Sequence, residues 1–226
     1  MLLDAQKKYS QAEAFAQRAL AIREHTLGSE HHKVAQSLAV LASIYHKRDE
    51  DAQAETLYQR ALKLYKQSLG PENPRVAQVL SGLTLVLLAQ GKYIQAEELC
   101  LSSLHIREKV CGEVHPYTAH SLHALGQITH EQGQYAQAER YYRQALSIQE
   151  QTLGSVHPDL ATTLEHYADL LRATHQEQKA SCLAAQAREI RVRHTEENAR
   201  EHTANDHIFP SKSEVANVFD ALTKVM

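Results

Sequence analysis

The chain has 226 residues, with 24 Lys and Arg set against 27 Asp and Glu for a net charge of −3, and a hydrophobic content of 43 %. That near balance gives no electrostatic basis for holding nucleic acid or an anionic membrane surface. No apolar run approaches the roughly 20 residues needed to cross a bilayer, and the opening MLLDAQKKYSQAEAF lacks a secretory pattern.

Taken from the N-terminus, the first apolar stripe of helical spacing runs from Tyr9 to Gly28. It reads as the second helix of an incomplete unit, residues 1–28, in which Met1 to Ala5 align with only the last turn of a partner helix. Apolar groups such as Phe15 and Leu20 are then expected to be partly uncovered. Such an end is expected of a fragment of a longer array or of a truncated reading frame, with self-association through it as a consequence.

Three units follow, residues 29–70, 71–112 and 113–154, each of 42 residues with two apolar stripes separated by a short polar turn. The register does not slip. Gly28, Gly70, Gly112 and Gly154 share one column, and Ala12, Ala54, Ala96, Ala138 and Ala180 share another. Such a period is the mark of a helical repeat array. Gly91 and Gly133 stand where a left-handed helix stop belongs. Unit one has Asp49 and Asp51 in place of the Gly and Tyr of later units, which predicts a looser turn. Ala138 and Ala145 mark close helix crossings. His31, Asn73, His115 and His157 form one column ahead of each first helix and read as loop and cap residues. Cys100 and Cys111 occupy packing columns and are expected to be buried free thiols, whereas the column of Cys182 is polar and predicts exposure. The absence of a close-spaced cysteine motif fits a reducing, cytoplasmic setting.

The fourth unit, residues 155–200, decays. His175 stands in the Gly column, Glu177 in the Tyr column and Glu196 at the terminal Gly, so its second helix should run on towards Arg200 as a cap. Residues 201–226 read as a linker, HTANDHIFP, and a short amphipathic helix. Its capping box is Ser211 with Glu214, and its apolar face Val215, Val218, Phe219, Leu222 and Val225.

The pattern L-x-x-L-A/G-x-x-Y/T … G-x-Y-x-x-A-E-x-x-Y/L-x-x-A-L-x-I … L-G-x-x-H-P resembles the tetratricopeptide repeat, in the long form found in kinesin light chains and many bacterial proteins. The ordinary unit is about 34 residues. The resemblance covers Met1 to roughly Asn198. It implies an all-α, right-handed superhelical solenoid of antiparallel helix pairs, whose first helices line a concave surface that holds a peptide or partner protein without catalysis. The groove positions it implies are Gln36, Ala39, Ser43 and His46, with Lys47 beside them, in unit one. Unit two supplies Gln78, Ser81, Leu85 and Leu88. Units three and four supply His120, His123, Gln127, His130, Thr162, Glu165, Asp169 and Arg172. The column of Ala39, Ser81, His123 and Glu165 commonly holds a peptide-gripping Asn in such arrays, and no Asn stands there. The other reading is a regulatory or sensor segment of a larger multidomain signalling protein.

His120, His123 and His130 fall within an arc of about 80° at 100° per residue. They suit a solvated groove lining, or a contact that charges below a pH of about 6.5. His120 and His123, with Glu165 as a third ligand, would also suit a metal. Glu165 and Asp169 lie beside them on an open face with no nucleophile. No phosphate-binding Gly loop, Cys-x-x-Cys or Ser-centred motif is present, so neither cofactor nor catalysis is expected.

Overall fold

Each first helix begins where a side chain can satisfy an amide that the helix itself leaves orphaned. The imidazole Nδ1 of His31 accepts from the Lys33 amide at 3.2 Å, and the Asn73 carboxamide accepts from Arg75 at 3.0 Å. His115 and His157 do the same for Tyr117 and Asp159. In three of these helices proline follows the cap, where its missing N–H costs nothing. The column of three histidines and one asparagine is therefore a capping column, as the sequence suggests.

The computed structural model describes residues 2–206, and side chains from 9 to 200. Over that range the elements are α1 (Leu2–Leu27), α2 (His32–His46), α3 (Asp51–Leu69), α4 (Pro74–Ala89) and α5 (Tyr93–Cys111). They continue with α6 (Pro116–Glu131), α7 (Tyr135–Leu153), α8 (Pro158–Ala173) and α9 (Glu177–Asp206). There is no strand among the described residues.

The turns within the units share one geometry. Asp49, Gly91, Gly133 and His175 fall in one column and have φ of 62°, 72°, 75° and 59°. At Gly91 the amide bonds Leu88 O at 3.0 Å, and the next amide bonds Leu87 O at 2.9 Å. At Asp49 the corresponding bonds are 3.0 and 2.9 Å. The looser turn expected in unit one is not found. Aspartate tolerates the left-handed region, and the flanks are tied by His46 to Asp51 at 2.6 Å and by Arg48 to both Glu13 and Glu50.

Two boundaries differ from the sequence reading. Where the terminal Gly column holds Glu196, α9 continues to Asp206, so residues 201–206 are helix rather than linker. The amphipathic segment expected beyond them lies outside the described residues. At the other end Lys7 occupies the column of Gly91 and Gly133. With a good helix former at that point, α1 is one unbroken helix from Leu2, not a turn of one helix followed by a second. On α1, Phe15 and Ile22 are exposed, while Leu64, Ile106 and Ile190 in the column of Ile22 are buried. Leu20 packs against the core.

The expected close crossings carry the core. Ala54, Ala96, Ala138 and Ala180 are fully buried, as are Ala61, Ala145 and Ala187 one helical stripe further on. A larger side chain there would push the axes apart. Gly126 plays the same part beneath an aromatic ring, since a Cβ built on it would lie 2.6 Å from the Tyr142 ring. Cys100 is buried and its thiol donates to Ser121 O at 3.3 Å, and burial pushes its pKa up to about 12. Cys111 is only half-buried, against expectation, because it closes the last turn of α5. Cys182 is exposed, as its column implies.

Every helix packs on its chain neighbours. The first helices α2, α4, α6 and α8 also touch one another in succession, whereas among the described residues α3, α5 and α7 do not. In a curved stack the helices on the inside converge and those outside splay. The inner wall is therefore built from α2, α4, α6 and α8.

Candidate functional site

The residues that the resemblance assigned to a groove lie on these four helices, except Lys47, which caps α2. They do not form one uniform lining. Gln36, Lys47, Gln78, Leu85, His120, Asp169 and Arg172 are exposed, and Ser43, His46, Ser81, Leu88, His123, Gln127, His130 and Glu165 are half-buried. In units one and two the short hydroxyls turn inward. Ser43 donates to Val40 O at 2.8 Å, and Ser81 donates to Ala77 O at 3.1 Å and meets Ser103 at 2.9 Å.

The three histidines of α6 part company. His120 pairs with Asp159 at 3.1 Å, and His130 sets its ring edge-on to Tyr135. His123 lies against Thr163 Oγ1 at 2.9 Å and against His166, with 3.2 Å between ring nitrogens. Gln127 reaches His166 as well, at 3.3 Å. Glu165, expected beside His120 and His123 as a third ligand, is instead held by Arg191 through bonds of 2.8 and 2.6 Å. Among the described residues no group of three His, Cys, Asp or Glu side chains is placed to hold a metal ion.

Burial sets the charge state of this cluster. It lowers the His123 pKa to about 3, with the neighbouring imidazoles of His166 and His120 adding to the effect. His166 is lowered by burial, partly offset by Asp169 and Glu165. His120, though its side chain is half exposed, loses enough surrounding water to be lowered as well, against the pull of Asp159. The expected shared titration near pH 6.5 therefore does not occur as one event, because His123 stays neutral far below it. Glu165 is held below the usual carboxylate range by the Arg191 guanidinium.

His166 is the residue that sequence reasoning missed. Its column reads Val40, Gly82 and Ala124 in the other units, all small or apolar, and gave no sign of a polar group. It helps to line a cavity of about 360 Å³ between α6 and α8. Leu88, Tyr93 and Tyr142 supply the apolar walls, and Gln127, His130, Glu131, His166 and Asp169 the polar ones. Tyr142 is fully buried, stacked on Tyr167 with 6.0 Å between centroids, and its hydroxyl has no hydrogen-bond partner.

A second cavity, of about 420 Å³, lies at the other ends of the first helices, against Arg75, Gln78, Arg107 and Tyr117. Arg107 is a strut between units, donating to Tyr117 O at 2.8 Å and Ser121 Oγ at 2.7 Å. Arg23, in the same column, does this for Lys33 O and Ser37 Oγ. Both edges of the wall thus carry a recess, one lined by carboxylates and one by guanidinium groups.

Residues 1–67, 41–99, 75–151 and 128–191 match the model of the family described as Tetratricopeptide repeat. Among solved structures, BtubC (BKLC) from P. vanneervenii is similar in fold, at 22 % identity and a TM-score of 0.72 over 84 % of this chain and 75 % of that one. A Podosopora anserina putative kinesin light chain with nearly identical TPR-like repeats is 26 % identical, with a TM-score of 0.67 over 84 % of this chain and 90 % of its own. Its Q17M form, also 26 % identical, has a TM-score of 0.69 over 85 % of this chain and 91 % of its own. No curated protein matches the chain. With four overlapping matches spanning residues 1–191, and capped helix pairs repeating without a slip, the chain belongs to the tetratricopeptide repeat family.

Proposed function

We propose that the chain is a non-catalytic scaffold that holds an extended segment of a partner protein along the inner wall of α2, α4, α6 and α8. Family membership supports a protein-interaction role in general. The observation that carries the finer reading is the recess between α6 and α8. A fully buried tyrosine there keeps an unpartnered hydroxyl beside exposed polar side chains, and an unsatisfied group of this kind is rare in a native interior. An extended peptide offers backbone donors and acceptors in series, which suits a wall of Gln36, Gln78 and Gln127, whose carboxamides both donate and accept.

The test is a selection of random displayed peptides on the intact chain, followed by mapping of bound peptides through backbone amide shifts. Perturbations on α2, α4, α6 and α8 are the expected result. Binding confined to the outer helices α3, α5 and α7, or no binding, would reject the reading.

A further inference from the structure

At one edge of the inner wall three first helices end side by side, α4 at Ala89, α6 at Glu131 and α8 at Ala173. Helix carboxyl ends carry partial negative charge. The recess beside Gln127 and His166 lies at this edge, and its charged lining is Glu131 and Asp169, with no Lys or Arg. Glu131 accepts from the Tyr93 phenol at 3.4 Å. Asp169 is engaged by Arg172 in an exposed pair three residues apart, a contact of the kind that yields easily. Burial lowers the pKa of His166, partly offset by Asp169 and Glu165. Behind these groups stands the unpartnered hydroxyl of Tyr142.

We propose that this recess receives a basic side chain, Lys or Arg, of the partner segment. Its cationic head sits between Glu131 and Asp169, and as the half-buried side chains covering the recess floor part, one of its N–H groups donates to Tyr142 Oη. The methylene stem lies along Leu88 and Tyr93, as long basic side chains do on apolar surface. The opposite edge, with Arg75 and Arg107, repels the same side chain, so the wall tells its two edges apart. This inference rests on the peptide-scaffold reading for its biological sense, but the recess can be tested alone.

The probes are N-acetyl-arginine N-methylamide and its neutral isostere N-acetyl-citrulline N-methylamide, titrated into the intact chain at neutral pH and read by NMR. The arginine probe is expected to shift the signals of Gln127, Glu131, His166 and Asp169 saturably. The citrulline probe should bind about tenfold more weakly, since it lacks the charge that strengthens hydrogen bonds to carboxylates. The double substitution Glu131→Gln with Asp169→Asn should make the two probes equal. Tyr142→Phe should weaken the arginine probe while leaving the melting temperature unchanged or higher, because the orphan leaves with the hydroxyl. A purely structural hydroxyl would instead lower the melting temperature and leave the probe alone. Equal binding of the two probes, or no saturable shift at those signals, overturns the proposal. If selected peptides bind the wall with no basic residue at the recess, this inference fails and the scaffold reading stands. If the arginine probe binds while no peptide does, the reverse holds.

Discussion

His123 and His166 meet across the seam between α6 and α8, with Nε2 of the first 3.2 Å from Nδ1 of the second and ring centroids 5.0 Å apart. At that distance one ring donates and the other accepts, so the pair holds together only while at least one imidazole is neutral. Protonating both would set two cations side by side on half-buried rings.

The first prediction concerns acid. The folded pKa of His123, about 3, lies below the ordinary histidine value of 6.5. Below pH 6.5 the unfolded chain therefore binds a proton that the folded chain refuses, and stability falls as pH falls. The loss from this residue begins near the unfolded value, grows by about 1.4 kcal/mol per pH unit and stops near the folded one. In His123→Gln the dependence between pH 6.5 and 4 should flatten by most of that slope. Denaturant melts across that range check it, and an unchanged slope would show that His123 titrates normally.

A second prediction separates packing from surface charge in one turn of α7. Ala138 is fully buried where the helices cross, so Ala138→Leu should cost about 1–3 kcal/mol. Arg140 is exposed, and Arg140→Gln should cost less than about 0.5 kcal/mol. The adjacent Glu139 is no neutral control, because it accepts from the Tyr167 hydroxyl at 2.8 Å and pairs with Arg143. Equal small effects at positions 138 and 140 would remove the alanine column from the interface.

The third prediction uses the glycine under Tyr142. Alanine is normally better than glycine inside a helix by about 1 kcal/mol, yet a Cβ at Gly126 would stand 2.6 Å from a buried ring. Gly126→Ala should therefore destabilise, by about 1–3 kcal/mol, despite its better helix propensity. With Tyr142→Leu in the background the same substitution should cost less, and the difference is the coupling read from a double-mutant cycle.

Much of this architecture is written locally. Caps, turns and close crossings each depend on one residue type in one column, so Asn73, Gly133 and Ala138 announce themselves. What the sequence hides is contact across the seam between units. His166 lies in a column of Val40, Gly82 and Ala124 and becomes a partner of His123 only when α8 packs on α6. Glu165 looked like that partner, but Arg191 on α9 reaches it first. The turn at Asp49 hides part of its support for a related reason, because Arg48 also ties it to Glu13 on α1, far away in sequence.

The last prediction takes its design from the repeat itself. Arg23 and Arg107 each hold the next first helix by donating to a hydroxyl, Ser37 or Ser121, and to a nearby carbonyl. Gln149 stands in the same column before Thr163, is buried, and leaves its carboxamide oxygen without a partner. Thr163 has turned to His123 instead. Gln149→Arg should restore the strut, replacing an orphaned acceptor with a donor aimed at Thr163 Oγ1, with the Asp159 carboxylate at the same small recess to balance its charge. The net gain should be about 1 kcal/mol, less than a bare hydrogen-bond count suggests because burying a guanidinium is costly. Thr163→Val in the same background should remove most of the gain, as the apolar Val79 in the Thr163 column stands opposite Tyr65 rather than an arginine. A cycle of Gln149→Arg and Thr163→Val measures the coupling by chemical denaturation. If the two effects simply add, the arginine reaches elsewhere, and the column's regularity comes from packing rather than from the strut.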